Sequence, residues 1–264
     1  MATNVTRHSM RVLSSRARSS LRPSSIPCSQ RKFSSSSSCA EDQEQVEKPR
    51  WSYTPPGAKS PFSLNAIESK RPHYPVNEDK AVLDKFYISL LGKDGDKMLS
   101  ENIKWLAVTH KSFDQGRRGF NDRLALLGKR IVQLQASLCL VQNPTKYKHP
   151  VPPLSPAEQK IAFNHPALAG LENLSHNSRG WVTHRNNMAK LAQKYDVVRV
   201  MRWGPRNLTS GEPQPNDLVQ SGVDVVLAHT LYAIVGALAL ERGGVAANKF
   251  AQERILAPQG LTSA

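Results

Sequence analysis

The chain has few cysteines, with three among its 264 residues. Cys28 and Cys39 lie in or beside a serine-rich N-terminal stretch, and Cys139 lies in an apolar segment. Structural zinc sites and disulfide frameworks both need several cysteines at characteristic spacings, and neither pattern occurs. The sequence therefore excludes a disulfide-stapled secreted domain, and it predicts that Cys139 is a free, buried thiol.

Long apolar runs are also missing. The most apolar segment is 225–240, which has 16 residues and is interrupted by His229 and Tyr232. A membrane-spanning helix needs about 20 mostly apolar residues. We therefore expect a buried central helix here and no membrane span. No segment shows a convincing strand pattern, so the predicted fold class is all-α.

Acidic residues are absent from the first 38 residues. Residues 1–33 contain seven lysines and arginines, and as a helix they would have one apolar face formed by Met10, Leu13, Ala17 and Leu21. A basic amphipathic helix without the apolar core of a secretory signal is typical of mitochondrial import. We predict a presequence over 1–33 and a location in the mitochondrial matrix, with a disordered serine-rich tail as the alternative.

The net charge is +15, and it stays at +8 when residues 1–33 are left out, because 29 basic and 21 acidic residues remain. Such a surplus is either a solvated surface or the footprint of a polyanionic partner, and RNA is a leading candidate. We expect residues 34–76, which are rich in proline and in which aromatic and basic residues interleave, to form an extended tail. The basic residues of this tail that we predict to bind RNA are Lys48, Arg50, Lys59, Lys70 and Arg71.

Two interpretations of the tail remain open. In an extended segment, basic side chains can neutralise phosphates while aromatic rings stack on unpaired bases. Alternatively, the tail is a linker whose aromatic residues dock back on the domain.

Helical periodicity dominates from about residue 77 to residue 258. The predicted helices begin after Asn77, Ser100 and Ser155, and others cover Asn121–Gln142, Val182–Tyr195, Val197–Trp203 and Val225–Leu240. In the helix Asn121–Gln142 the periodicity places on one face Leu124, Leu127, Ile131, Leu134 and Leu138.

Two motifs in this region resemble the metal-binding helices of the ribonuclease III family. The first is Thr109-His110-Lys111-Ser112 followed by the segment 122–129, which is similar to the family's T-H-R-S and E-R-L-E-F-L-G-D. The second is the segment 227–237, which is similar to L-A-D-x-F-E-A-L-I-G-A. The segment 181–203 and the turn Gly243-Gly244 also fit, in the family's order, so the resemblance covers roughly 77–256.

The resemblance implies that the catalytic carboxylates of the family are replaced. Four carboxylates hold magnesium in those motifs, and their positions are occupied here by Ala125, Lys129, His229 and Tyr232. Magnesium prefers hard oxygen ligands, so an aliphatic group, an ammonium, an imidazole and a neutral phenol make a poor set. We therefore expect neither cleavage by the family's mechanism, nor a bound metal, nor another cofactor.

A basic, mitochondrial domain of this kind resembles the fungal mitochondrial ribosomal proteins of the large subunit that have a ribonuclease III-like fold. The resemblance implies a structural role on large-subunit rRNA, neighbouring ribosomal proteins as partners, and a dimer with a ribonuclease III-like partner. Only nine residues follow Ile255, so we expect no double-stranded RNA-binding domain. The alternatives are a mitochondrial double-stranded RNA endonuclease using another site, or a non-ribosomal RNA-processing factor.

Charge and expected loop position nominate further residues for RNA binding. Within the helical region they are Lys111, Arg117, Arg118, Lys129, Arg130, Lys146, Lys148 and Arg185. Each phosphate that such a side chain neutralises releases counterions, so binding should weaken with added salt.

Overall fold

The structure is a computed structural model, and it describes 48–58, 74–142, 155–206 without 162, 164, 169, 170 and 172, and 215–261. The predicted presequence lies outside these residues, as do Lys59, Lys70, Arg71, Lys146 and Lys148. Within the described part the chain forms helices and turns, and the one pairing of extended backbone is a single parallel bridge between Thr109 and Arg202. The prediction of an all-α fold is confirmed.

Eight α-helices are described. They are α1 (Lys80–Leu91), α2 (Glu101–Val108), α3 (Asp122–Gln142), α4 (Pro156–Ile161), α5 (His176–Val182), α6 (Arg185–Lys194), α7 (Pro215–Gln220) and α8 (Val223–Phe250). Short 3-10 turns cover Arg50–Ser52, Gly95–Lys97, Phe113–Gly116, Pro166–Leu168, Val197–Arg199 and Ala257–Gln259, and a π-helical turn covers Ala251–Leu256.

Some predicted helix boundaries are wrong. The cap of α1 is Asp79, whose carboxylate accepts the backbone N–H of Ala81, rather than Asn77. The helix predicted over Val182–Tyr195 is broken at Thr183–His184, because the ring of His184 accepts the N–H of Asn186 and starts α6. Side chains that bond to nearby backbone compete with helix continuation in this way. The helix predicted over Val197–Trp203 is only the 3-10 turn Val197–Arg199, after which the chain extends to pair with Thr109.

The core is built where α3 crosses α8. A Cβ atom added at Gly128 would lie 1.9 Å from the carbonyl oxygen of Tyr232, and one at Gly236 would lie 2.0 Å from that of Leu124. The two backbones therefore touch at this crossing, which side chains at either glycine would prevent. This close approach brings the first motif, on α3, against the second motif, on α8.

The apolar side of α3 is divided between core and surface. Leu124 is buried, but Leu134 and Leu138 are 57% and 45% exposed. The side chains of α3 that face the core are mostly small, since the buried set is Leu124, Ala125, Gly128, Val132, Gln135, Ala136, Cys139 and Leu140. Close contact with α8 selects small residues, so several large ones are left outside, and we name as the α3 stripe the exposed residues Leu126, Leu134, Leu138 and Val141.

Two helical stretches, Asp122–Gln142 and Val223–Gln259, are long and apolar enough to cross a membrane. In the second, 72% of the apolar window is buried inside the protein, which is the environment of a core helix. The observed helix α8 is longer than the helix predicted over Val225–Leu240, and it contains a local break at Gly243, where φ is 84°. The absence of a membrane span stays a prediction.

Candidate functional site

A cavity of about 410 Å³ lies beside the crossing of α3 and α8. It is lined by Asp122, Ala125, Leu126, Lys129, Thr183, Arg185, Val225, Ala228, His229 and Tyr232. We call this cavity the cleft. All four positions that the sequence analysis assigned to lost metal ligands lie in it, so two motifs about a hundred residues apart form one site.

Two of those four positions offer no ligand to a cation. Ala125 is buried and has no polar side-chain atom. Tyr232 is buried as well, its hydroxyl donates a hydrogen bond to the carbonyl of Thr183 at 2.9 Å, and burial raises the pKa of this phenol well above its usual range. It therefore stays a neutral donor that is occupied within the protein.

His229 contacts the one acidic residue that lines the cleft. Its Nε2 lies 3.0 Å from Oδ1 of Asp122, although the two atoms are not in hydrogen-bonding geometry. Nζ of Lys111 lies 3.6 Å from the other carboxylate oxygen. Asp122 is thus shared between an imidazole and an ammonium group.

Both histidines near the cleft favour the neutral form. Burial lowers the pKa of His229, although the carboxylate of Asp122 opposes that shift. Burial also lowers the pKa of His110 to about 4, helped by the nearby His229 and Lys111. The two rings are in edge contact, with centroids 5.8 Å apart. At neutral pH neither ring adds a charge, so the lysines and arginines set the sign of the field.

The rim of the cleft is cationic. Lys129 and Arg185 are exposed there, and Lys111 stands beside them through its contact with Asp122. Among the residues that the structure describes, no three His, Cys, Asp or Glu side chains come together as a metal site. The arrangement suits an anion such as a phosphate better than a divalent cation.

The other RNA-binding candidates lie elsewhere. Arg130 is exposed on α3 and donates to the side-chain oxygen of Gln133 at 3.1 Å. Arg117 and Arg118 follow α2. Arg50 of the N-terminal tail donates to the carbonyl of Arg117, Arg118 donates to the carbonyl of Ser52, and Lys48 is exposed.

Sequence reasoning missed Asp122, Thr183 and Arg202. Asp122 stands at the first glutamate of the E-R-L-E motif, and this position could have indicated that it belongs to the site. Arg202 lies between the apolar residues Met201 and Trp203, which was the sign that it is buried.

The chain is similar in sequence to known proteins. The model of the family described as ribonuclease-III-like matches residues 100–259. The large ribosomal subunit protein mL57 of Neurospora crassa is 41% identical over 235 residues, covering 86% of this chain and 84% of that protein.

Two solved structures of the ribonuclease III nuclease domain from Campylobacter jejuni are more distant. One has 20% identity and a TM-score of 0.42, with 69% of this chain and 97% of the other covered. The second has 23% identity and a TM-score of 0.41, with 66% and 95% covered. From the family match and the mL57 similarity, the chain belongs to the ribonuclease-III-like family.

Proposed function

We propose that this protein is a structural constituent of the mitochondrial large ribosomal subunit. The observation that supports this most directly is the 41% identity to the large ribosomal subunit protein mL57, which extends over 86% of the chain. The acid-free, arginine-rich segment 1–33 favours the mitochondrial matrix as its location. In this proposal residues 34–76 are a tail and residues 77–258 are the ribonuclease III-like domain.

The domain is proposed to hold RNA without cutting it. Phosphodiester hydrolysis in this family depends on bound metal, which activates water and neutralises charge on the phosphate. The positions expected to supply four carboxylates supply Ala125, Lys129, His229 and Tyr232 instead. The remaining acid, Asp122, is engaged by His229 and Lys111.

The cationic rim is proposed as a phosphate contact. Lys111, Lys129 and Arg185 would bind the rRNA backbone without strong sequence preference, because phosphate contacts have little base information. Replacing Lys129 and Arg185 with glutamine should lower the affinity for RNA and reduce its salt dependence. The candidates Lys48, Arg50, Lys59, Lys70, Arg71, Arg117, Arg118, Arg130, Lys146 and Lys148 remain proposals.

A dimer with a ribonuclease III-like partner is the proposed mode of assembly. The α3 stripe leaves four large apolar side chains exposed along one helix. Water-exposed apolar side chains in a row favour burial against a second surface. The partner's own α3 is the proposed counterpart.

Sedimentation of mitochondrial lysate tests the ribosomal role. We expect the protein to migrate with the large subunit at low salt and to leave it at high salt. A protein that stays at the top of the low-salt gradient would instead be a free RNA-processing factor. Magnesium-dependent cleavage of double-stranded RNA that follows the protein through purification would make it an endonuclease.

A further inference from the structure

The segment Lys48–Ala58, which we call the strap, packs on α2 and on the loop between α2 and α3. The ring of Trp51 stacks on that of Trp105, with centroids 4.5 Å apart and planes at 19°. Nη2 of Arg50 donates to the carbonyl of Arg117 at 2.8 Å, and Nη1 of Arg118 donates to the carbonyl of Ser52 at 3.4 Å. The strap therefore places a tail arginine beside two loop arginines that lie 67 and 68 positions later in the sequence.

Among the described residues, one carboxylate pairs with two of these three arginines. Asp114 accepts hydrogen bonds from Arg117 and from the hydroxyl of Thr54, and its second oxygen lies 3.5 Å from Nε of Arg118. Arg50 is bound to backbone carbonyls. The cluster of Arg50, Arg117 and Arg118 with Asp114 thus has an uncompensated charge of two, and an anion would relieve the mutual repulsion.

A fourth arginine, Arg202, lies beneath this cluster, and the carboxylates of Glu78 and Asp114 partly offset its charge. Arg202 is 2% exposed, with its guanidinium 4.5 Å from the ring centre of Phe113 and 5.1 Å from that of Trp105. Its Nη1 reaches the carbonyl of Trp51 at 3.5 Å. Aromatic faces and a carbonyl thus make the close contacts of this cation.

The loop itself has an uncommon backbone. Asp114 and Gln115 have φ angles of 43° and 54°, and Gly116 follows at 75°. Left-handed conformations are costly for residues with a side chain, and they concentrate at binding sites where surrounding contacts impose them. Here the contacts from Thr54 and Arg50 are among those that hold the loop.

We propose that the strap and this loop form a second RNA-binding surface, separate from the cleft, that takes unpaired rRNA. Its phosphate contacts are Lys48, Arg50, Arg117 and Arg118, and its stacking platform is Tyr53. Tyr53 is 38% exposed, and the guanidinium of Arg50 lies 5.8 Å from its ring centre. The surface rests on the proposed rRNA role and adds the form of RNA that is bound.

The chemistry favours an unpaired strand over a duplex or an acidic protein. Guanidinium groups match phosphate with paired, planar donors, and an exposed aromatic ring beside them offers a face on which a base can stack. In a duplex the base faces are hidden in the helix, and single strands are where bases can be splayed onto aromatic rings. An acidic peptide would use the cations but not the ring.

The test uses the full chain and a 16-nucleotide oligouridine, with binding measured over a series of salt concentrations. Arg50→Gln with Arg118→Gln should weaken binding and lower the slope of log Kd against log salt by about 1.4, since each phosphate contact to a single strand accounts for about 0.7. Tyr53→Ala should weaken binding about tenfold and leave the slope unchanged. The hydrogen bonds of Tyr53 use its backbone carbonyl, so this variant keeps the strap in place.

The matched control is Lys85→Gln with Arg199→Gln, which removes the same charge from two exposed residues of another groove. Unchanged binding by the control, together with the two effects above, supports the surface. If the control variant and the arginine variant weaken binding equally, the proposed surface is overturned, because general charge attraction then explains the binding. Equal affinity for a polyglutamate of the same length also overturns it, in favour of an acidic protein partner.

Two further results separate this surface from the ribosomal proposal. In the first, Lys129→Gln with Arg185→Gln weakens oligouridine binding and Tyr53→Ala does not. This result contradicts the second surface and supports RNA binding at the cleft. In the second, the unaltered chain binds neither oligouridine nor a 16-base-pair RNA duplex. This result contradicts both the second surface and the proposed binding of RNA.

Discussion

Asp122 shows at the scale of single residues how the cleft differs from a metal site. A carboxylate is present, but Lys111 and His229 approach its two oxygens at 3.6 and 3.0 Å. Lys129 adds a further charge at the rim. A divalent cation entering the cleft would have to displace these groups and meet the field of Lys129, at a point where water screens the charges only partly.

Changing Lys129 and His229, the two accessible positions, should therefore make the cleft prefer a cation to an anion. Lys129→Asp with His229→Asp would put three carboxylates around the cavity and leave the buried Ala125 and Tyr232 unchanged. We expect manganese binding that is measurable by calorimetry, without cleavage of double-stranded RNA. Lys85→Asp with Arg199→Asp makes a similar change in charge elsewhere and should bind no metal. A folded cleft variant without manganese affinity would contradict the assignment of these positions.

His110, beside the cleft, makes the stability of the protein depend on pH. Its folded pKa of about 4 is below the ordinary value near 6.5, so folding favours the neutral ring. This contribution to stability is complete above pH 6.5, and it is lost as the pH falls from 6.5 towards 4, because the unfolded chain binds the proton more readily.

We expect the free energy of unfolding to decrease over that range by an amount on the order of 1 to 2 kcal/mol that depends on His110. His110→Asn should flatten this part of the profile in urea unfolding at a series of pH values. His176→Asn, at an exposed position, should leave the profile as it is. A profile that is the same with and without His110 would rule this group out as the cause.

At the scale of elements, the contact between α3 and α8 decides the architecture. The α3 leucines predicted to share a face split between core and solvent, since the helix turns its small residues towards α8. Periodicity identified α3 and α8 as helices, but the face that it gave for the α3 residues is not the side that packs on α8. The break between α5 and α6 was missed because it depends on the side-chain caps of Thr183 and His184.

Gly128→Ala should destabilise the protein strongly even though alanine favours helices. The new Cβ would lie 1.9 Å from the carbonyl oxygen of Tyr232, so the helices would have to separate. We expect a loss of about 3 kcal/mol or more, as for other overpacked or displaced core contacts. Gly180→Ala in α5 is the matched control, because no atom lies within 4 Å of the added group.

The free energy of unfolding of Gly180→Ala should rise by about 0.5 to 1 kcal/mol, because alanine has a higher helix propensity than glycine. Urea unfolding of the two variants gives the comparison directly. Similar stabilities for Gly128→Ala and Gly180→Ala would show that α3 and α8 do not touch at Gly128.

At the scale of the whole molecule, the described surface has apolar and basic regions that the domain does not use internally. The α3 stripe exposes leucines along a helix, the cleft has a cationic rim, and the strap adds a second basic region. In a ribosomal protein such regions are expected to be covered by RNA or by other proteins, which would explain a basic chain with exposed leucines.

Leu134→Lys with Leu138→Lys should prevent assembly while changing the stability of the isolated protein little, because both side chains are exposed already. The measurement is co-sedimentation of the tagged variant with the mitochondrial large subunit. Val245→Lys, at a residue that is 85% exposed on α8, is the control and should assemble normally. Normal assembly of the leucine variant would remove the stripe from the proposed interface.

The sequence alone was enough for the helical class, because helices depend on local periodicity, and for the ribonuclease III-like order of motifs, which is a matter of residue type. The four altered positions are what that resemblance implies. Only the tertiary structure placed the four positions in one cleft, paired Asp122 with His229 and Lys111, and joined the strap to Arg117 and Arg118. These contacts are made by side chains that are distant in the chain, and their distances depend on how closely two helix backbones can approach. That approach is set at Gly128 and Gly236, which have no Cβ to keep the helices apart.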